Sequence, residues 1–262
     1  MDFLTALLCA ALVAILAKTV AWLLQRRIGN AGIVDAIWSW TLGGLATVFA
    51  VFGSAPWPLR LTVALMGGLW GLRLGAHLWV RNWRKSEDFR YAKFREQWGE
   101  NVDCKMFWFF QFQNLFTLTL AASAYGATVF RPDIPPVWAF VLAIALLLLS
   151  VGGEALSDAQ MERFRAQRRD PNEVCRRGLW RYSRHPNYFF ECLHWLAYLP
   201  LALSPVYPWG WLVLAAPGLM AFLLIRFSGM PLLEQEMTRR KPGYAEYVRT
   251  TSALIPWPPK AG

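Results

Sequence analysis

The chain has 262 residues, 56% of them hydrophobic, with 15 Trp and 17 Phe, a composition that a soluble domain of this length does not need. Its formal charge is +10; in so apolar a chain, Lys and Arg concentrated in cytoplasmic loops account for that more plainly than nucleic acid does. The cysteines Cys9, Cys104, Cys175 and Cys192 form no CxxC pair and no metal-ligand spacing, so free thiols are expected, with no disulfide and no metal.

Seven apolar runs approach the roughly 20 residues that a spanning helix requires: 3–24, 31–53, 59–81, 107–130, 137–157, 187–206 and 210–230. The first has no basic leader and no small-residue cleavage site before Gln25, so it reads as a retained helix rather than a signal peptide. Lys18, within two turns of its inner end, is expected to snorkel out. Arg26 and Arg27 follow the first run, seven basic residues lie between Arg81 and Lys105, eight between Asp158 and Pro186, and six from Arg226 onward. The intervening links carry no basic residue or only Arg131. This alternation predicts an all-α integral membrane protein with seven transmembrane helices, the N-terminus outside and the C-terminus cytoplasmic. Trp57, Trp138, Trp209, Trp211 and Arg60 fall where outer interfacial anchors belong. No Gly/Ser linker or internal repeat divides residues 1–262, which read as a single membrane domain.

Several polar residues fall at membrane depth. Asp35 and, one turn on, Trp38 lie in the second run, Arg73, His77 and Arg81 share a face of the third, and Gln111, Gln113 and Asn114 sit in the fourth. Uncompensated charge in lipid is costly, so Asp35 and Arg73 are expected to point inward and pair. That pair either ties two helices together or forms the polar end of an apolar substrate cavity within residues 1–130. In Ser86-Glu-Asp-Phe-Arg-Tyr91, Glu87 and Tyr91 read as one face of a short cytoplasmic helix. They are either proton donors or part of a solvated surface.

Glu154, Asp158, Glu162 and Arg165, followed by Arg168 and Arg169, read as a helix that leaves the membrane. A carboxylate with arginines on one face can read a ribose and a phosphate, because the planar guanidinium makes two parallel hydrogen bonds. A solvated helix with internal ion pairs is the alternative. No GxGxxG follows a strand, so a Rossmann site is excluded. Gly178-Leu-Trp-Arg-Tyr-Ser-Arg-His-Pro-Asn-Tyr-Phe-Phe-Glu191 comes next. Pro186 suits a first helical turn, which puts Asn187, Glu191 and His194 on one face. A carboxylate one turn inside a membrane helix implies a ligand, whereas Trp, Tyr and Arg alone would make an interfacial cap.

This stretch resembles the signature of the membrane reductases with a steroid 5-alpha-reductase C-terminal domain, the bacterial branch above all. Its core, Arg-His-Pro-x-Tyr, also occurs in the isoprenylcysteine carboxyl methyltransferases. The reductase resemblance runs most strongly from Gly153 to Pro256 and includes Pro242-Gly-Tyr-Ala-Glu-Tyr247. It implies NADPH held within 137–262, with Glu154, Asp158, Arg165, Arg168, Trp180, Tyr182, Arg184, His185, Asn187, Tyr188, Glu191, Arg226 and Tyr244 as cofactor contacts. It implies a lipid enclosed by 1–130, with Trp38, Arg73, His77, Gln111 and Asn114 toward the substrate. The bacterial reductases carry a motif similar to Glu87-Asp-Phe-Arg-Tyr91. Glu154 stands where animal members have Asn, Phe190 where many have Gly, and Leu78 where the animal enzymes have a catalytic Tyr. The second run has no Gln-Glu pair. Asp35, Glu87 and Tyr91 are therefore the candidates for proton donation.

The implied activity is NADPH-dependent reduction of the double bond in a 3-oxo-Δ4 steroid or similar enone lipid. An S-adenosylmethionine-dependent membrane methyltransferase is the second reading, and a lipid-binding scaffold the third. The expected partners are a lipid or steroid substrate and membrane lipids, with no nucleic acid, in a monomer of the bacterial cytoplasmic membrane.

Overall fold

A computed structural model describes residues 2–83, 85–227 and 229–260. Among them the chain folds into helices and turns, and no strand forms. Helix α1 (Phe3–Ile28) is capped by Asp2, whose Oδ1 accepts from the Thr5 amide at 2.7 Å, as an N-cap carboxylate does. It ends on Gly29 at φ 69°, a left-handed conformation that glycine adopts without a Cβ clash. Its exposed face carries Leu4, Leu8, Leu12 and Leu16, and its buried face Ala6, Ala10, Ala14, Lys18 and Gln25. A soluble helix sorts these residues the other way round. Leucine outside with small and polar residues inside suits a helix surrounded by lipid.

Helices α2 (Ile33–Phe52) and α3 (Trp57–Asn82) pack almost backbone to backbone. A Cβ on Gly71 would stand 2.7 Å from both Gly43 Cα and Ser39 O, and one on Gly67 2.4 Å from Ala46 Cβ. Small residues one turn apart allow this approach in the absence of a hydrophobic force between helices. Gly71→Val is expected to overpack the contact and destabilise the fold by about 1–3 kcal/mol, measured as thermal unfolding in detergent. Unchanged melting would show that the two helices can move apart at no cost. Arg60 donates Nη1 to Ala50 O at 3.2 Å and so caps the carbonyl end of α2.

Helix α4 (Phe89–Trp98) is short and polar. Helix α5 (Val102–Ala121) runs through a π-helical turn, Ala122–Gly126, into Ala127–Val129. Helix α6 (Val137–Gln167) is continuous over 31 residues, apolar at first and charged from Glu154 on, as expected of a helix that outruns the bilayer. Helix α7 (Pro186–Leu196) opens on Pro186 in its first turn. The run 187–206 is not one helix, however. Pro200 lacks an amide hydrogen and its ring would strike the carbonyl of Leu196, so α7 stops there and a single turn, Leu199–Ala202, follows. Beyond the 3-10 turn Pro208–Leu214 come α8 (Ala215–Phe222), a π-helical turn, α9 (Met230–Arg240) and α10 (Tyr244–Thr250).

Among the described residues, five helical stretches are long and apolar enough to cross a membrane: Phe3–Ile28, Ile33–Phe52, Trp57–Asn82, Val137–Gln167 and Pro208–Arg240. The protein is an all-helical, multi-pass membrane protein. Backbone contacts divide it into two compact units, Met1–Phe140 with Tyr198–Ala216, and Val141–Ala197 with Pro217–Gly262.

Candidate functional site

In the first unit, polar side chains gather where α4 meets the α1–α2 turn. The helix α4 begins at Phe89, with Asp88 as its N-cap accepting from the Arg90 amide at 3.0 Å. Glu87 therefore precedes the helix and does not share a helical face with Tyr91. Its Oε1 accepts from the Ala31 amide at 2.7 Å and its Oε2 from Arg95 Nε at 2.8 Å, while Arg95 Nη2 donates to Gln25 Oε1 at 2.7 Å. Asn82 Nδ2 donates to Gly32 O at 2.9 Å and Asn30 Nδ2 to Asn82 O at 3.0 Å. Glu87 thus clasps the α1–α2 turn rather than standing as a free acid.

Asp35 and Tyr91 do come together. The Tyr91 hydroxyl, on a residue only 3% exposed, donates to Asp35 Oδ1 at 2.9 Å. Arg90 Nη2 donates to Asp35 Oδ2 at 3.1 Å and Arg90 Nε to Asp88 Oδ1 at 2.9 Å. Burial, then the Asp35 carboxylate, pushes the Tyr91 phenol well above its ordinary range, with Arg90 opposing. Burial also pushes the Asp88 carboxyl up, but hydrogen bonding and charge from Arg90 outweigh it and hold it low. The phenol is held neutral with its one proton directed at the Asp35 carboxylate, and it can pass that proton to a developing oxyanion only when the hydroxyl turns from Asp35.

Lys18 does not snorkel. It is fully buried, its Nζ donates to Gln113 Oε1 at 2.7 Å, and it lies within electrostatic reach of Asp35. Gln111 Nε2 donates to Thr19 Oγ1 at 3.2 Å, and Asn114 Nδ2 to Gln111 Oε1 at 2.9 Å. The polar residues of the fourth run therefore tie α5 to α1. The Trp38 ring meets Trp70 edge-on at 6.1 Å, and Arg73 and His77 are half-buried on α3.

The second unit holds the 178–191 motif. Trp180 Nε1 donates to Ser157 O at 2.9 Å, and Trp180 packs in a small core with Phe164 and Cys175. The Tyr247 hydroxyl donates to the Trp180 carbonyl. These bonds fix the motif to α6 on one side and α10 on the other. Arg184 Nε and Nη2 donate to the two oxygens of Glu234 at 2.8 and 3.2 Å, and His185 Nε2 lies 2.8 Å from Glu234 Oε1. The Tyr188 ring stacks on His185 at 5.2 Å. Tyr244 is buried, and burial first, then the Glu234 charge, raises its phenol. Glu234 is the hub of this cluster, and sequence reasoning missed it.

Glu191 is buried and accepts from Trp195 Nε1 at 3.0 Å, one turn further along α7. Asn187 is half-buried, and Glu154 and Asp158 are buried on α6. Tyr182, Arg165 and Arg226 are exposed. Phe190 seats its ring on Gly153, where an added Cβ would stand 2.3 Å from it; it fills a notch in α6. The end of α6 borders a cavity of about 310 Å³ lined by Arg163, Arg168 and Arg177, with Gln160 and Gln167, against the single acid Glu173. Gly178, the head of the motif, lines it too, and Gln160 Oε1 accepts from the Leu179 amide at 2.8 Å. Three planar cations around one cavity suit an anion that carries phosphate.

The family described as a protein of unknown function (DUF1295) matches residues 21–251, and the chain belongs to that family. Neither the curated proteins nor the solved structures contain a match.

Proposed function

We propose that this protein reduces the carbon–carbon double bond of an enone lipid, a 3-oxo-Δ4 steroid or similar, using NADPH. The observation that carries this reading is the arginine-lined cavity at the head of the 178–191 motif. S-adenosylmethionine has no phosphate and would leave those arginines without a ligand. The association of the DUF1295 family with steroid 5-alpha-reductase-like proteins supports the same choice. In this reading Arg168 holds the 2′-phosphate and Arg163 and Arg177 the diphosphate, and Asn187 and Glu191 accept hydrogen bonds from the carboxamide. Bound NADPH would supply the hydride. In the first unit Tyr91, its hydroxyl turned from Asp35, is the donor that protonates the enolate. A donor brought to the enolate oxygen in this way stabilises charge that appears only in the transition state.

The expected selectivity is direct. Arg168→Ala removes a charged hydrogen-bond donor, worth roughly 1.5–3 kcal/mol, so NADPH affinity should fall about tenfold or more while NADH affinity changes little. Isothermal binding in detergent measures both, and an equal loss for the two cofactors would remove the 2′-phosphate role.

The proposed topology has seven crossings in the bacterial cytoplasmic membrane, N-terminus outside, with 102–129 and 186–206 as the two crossings beyond the five membrane-length helices. It rests on the alternation of basic links. A reporter fused to the C-terminus should be cytoplasmic and one inserted between Gly53 and Leu59 external. Both on one side would break the arrangement.

A further inference from the structure

The C-terminal tail builds a second basic cavity. Residues 251–260 form no helix, yet their backbone is pinned along its length. Arg184 N donates to Ser252 O at 2.8 Å, Ser183 Oγ to Leu254 O at 2.8 Å, Trp257 N to Tyr182 O at 2.9 Å and Lys260 N to Thr250 O at 2.9 Å. These bonds give the segment a fixed position although it has no helical hydrogen bonds of its own. It borders a half-open depression of about 340 Å³ lined by Arg184, Arg249, Thr250, Ser252, Trp257 and Lys260, with no acidic residue in the lining. Arg184 is engaged by Glu234 and by the carbonyls of Val248 and Thr251. The cations that face outward are Arg249 and Lys260, both exposed.

Beside them stands an apolar patch. Ile255 is 63% exposed and Trp257 68%, and Trp257 is joined through its backbone to the exposed Tyr182. The Arg181 guanidinium lies 5.9 Å over the Tyr182 ring. Aromatic and aliphatic side chains bare to solvent beside Lys and Arg, outside the apolar helices, match the composition of the headgroup boundary of a bilayer. A membrane whose lipids carry negative charge attracts such a surface.

We propose that the tail cavity binds the phosphate of an anionic phospholipid, with Arg249 and Lys260 on the phosphate and Ile255 and Trp257 in the headgroup–acyl boundary. The chemistry recognised is a phosphate monoanion attached to an apolar body. The site shares no lining residue with the arginine cavity at the end of α6, and its phosphate ligands, Arg249 and Lys260, take no part in the reductase reading.

The test uses the full chain in detergent, with native mass spectrometry to titrate dioctanoyl phosphatidylglycerol, dioctanoyl phosphatidylcholine and soluble glycerol 3-phosphate. The wild-type protein should prefer phosphatidylglycerol to both other probes. Arg249→Gln/Lys260→Gln should weaken phosphatidylglycerol about 30-fold, from the usual contribution of two basic residues at an anionic surface. Trp257→Ser should weaken the lipid and leave glycerol 3-phosphate unchanged. If the double variant fails to fold, Lys260→Gln alone, outside any helix, should still weaken the lipid about fivefold. Unchanged phosphatidylglycerol affinity in a folded double variant, or equal affinity for phosphatidylcholine, overturns the proposal. Equal binding of glycerol 3-phosphate would assign the cavity to a soluble phosphate and overturn the lipid.

Discussion

Glu234→Ala is expected to lower the melting temperature of the detergent-solubilised protein by on the order of 10 °C. The side chains of Arg184 and His185 are 9% and 2% exposed, and both converge on this one carboxylate. Removing one partner of a buried pair leaves an uncompensated charge, which costs about 3–5 kcal/mol. The loss should be larger than that of the intact pair's own attraction, because Arg184 cannot turn out to water while it also holds the carbonyls of Val248 and Thr251. Arg184→Met/Glu234→Leu should recover part of the loss, since the buried charge goes with its partner. A Glu234→Ala protein that melts like the wild type would show that water replaces the carboxylate freely.

The features of this fold that could be read in the sequence are those set by neighbours in the chain. Pro186 fixed the start of α7 because its missing amide hydrogen and restricted φ act locally. The alternation of apolar runs marked the long helices for the same reason. Pro200 carried an equally local signal, but the apolar composition of 187–206 concealed it, and hydropathy does not register a missing hydrogen bond. Lys18 shows a second kind of miss. It lies four residues after Ala14 and eight after Ala10, on the small-residue face that packs inward, so spacing placed it inside, whereas proximity to the helix end suggested snorkelling. Glu234 lies 50 residues from Arg184 and Glu87 lies 56 from Ala31. No periodicity links positions that far apart; only the tertiary fold makes them partners. Asp35 and Tyr91 were both singled out, yet the bond between them, and Arg90 as the third member, depended on where α4 docks.

That bond gives the prediction with the largest expected effect on turnover. If Tyr91 protonates the enolate, Tyr91→Phe removes the acid but keeps the ring, and a positioned proton donor contributes typically 10²–10⁴-fold. NADPH-dependent reduction of a 3-oxo-Δ4 steroid should fall by about that factor in kcat, with KM nearly unchanged because ring packing against Phe94 and Phe109 survives. Asp35→Asn should cost less, since its amide oxygen can still accept from the phenol. The pH dependence has a definite sign. Burial and Asp35 raise the Tyr91 phenol above its ordinary value of about 10, so folding favours the protonated form. The stability this brings is fully present below about pH 10, and it is lost as pH rises through the folded value. Tyr91→Phe should therefore lower the neutral plateau of the melting profile and flatten its alkaline limb. Full turnover in a folded Tyr91→Phe protein would take proton donation away from this pair and leave Asp35, Arg90 and Tyr91 as a structural lock between α2 and α4.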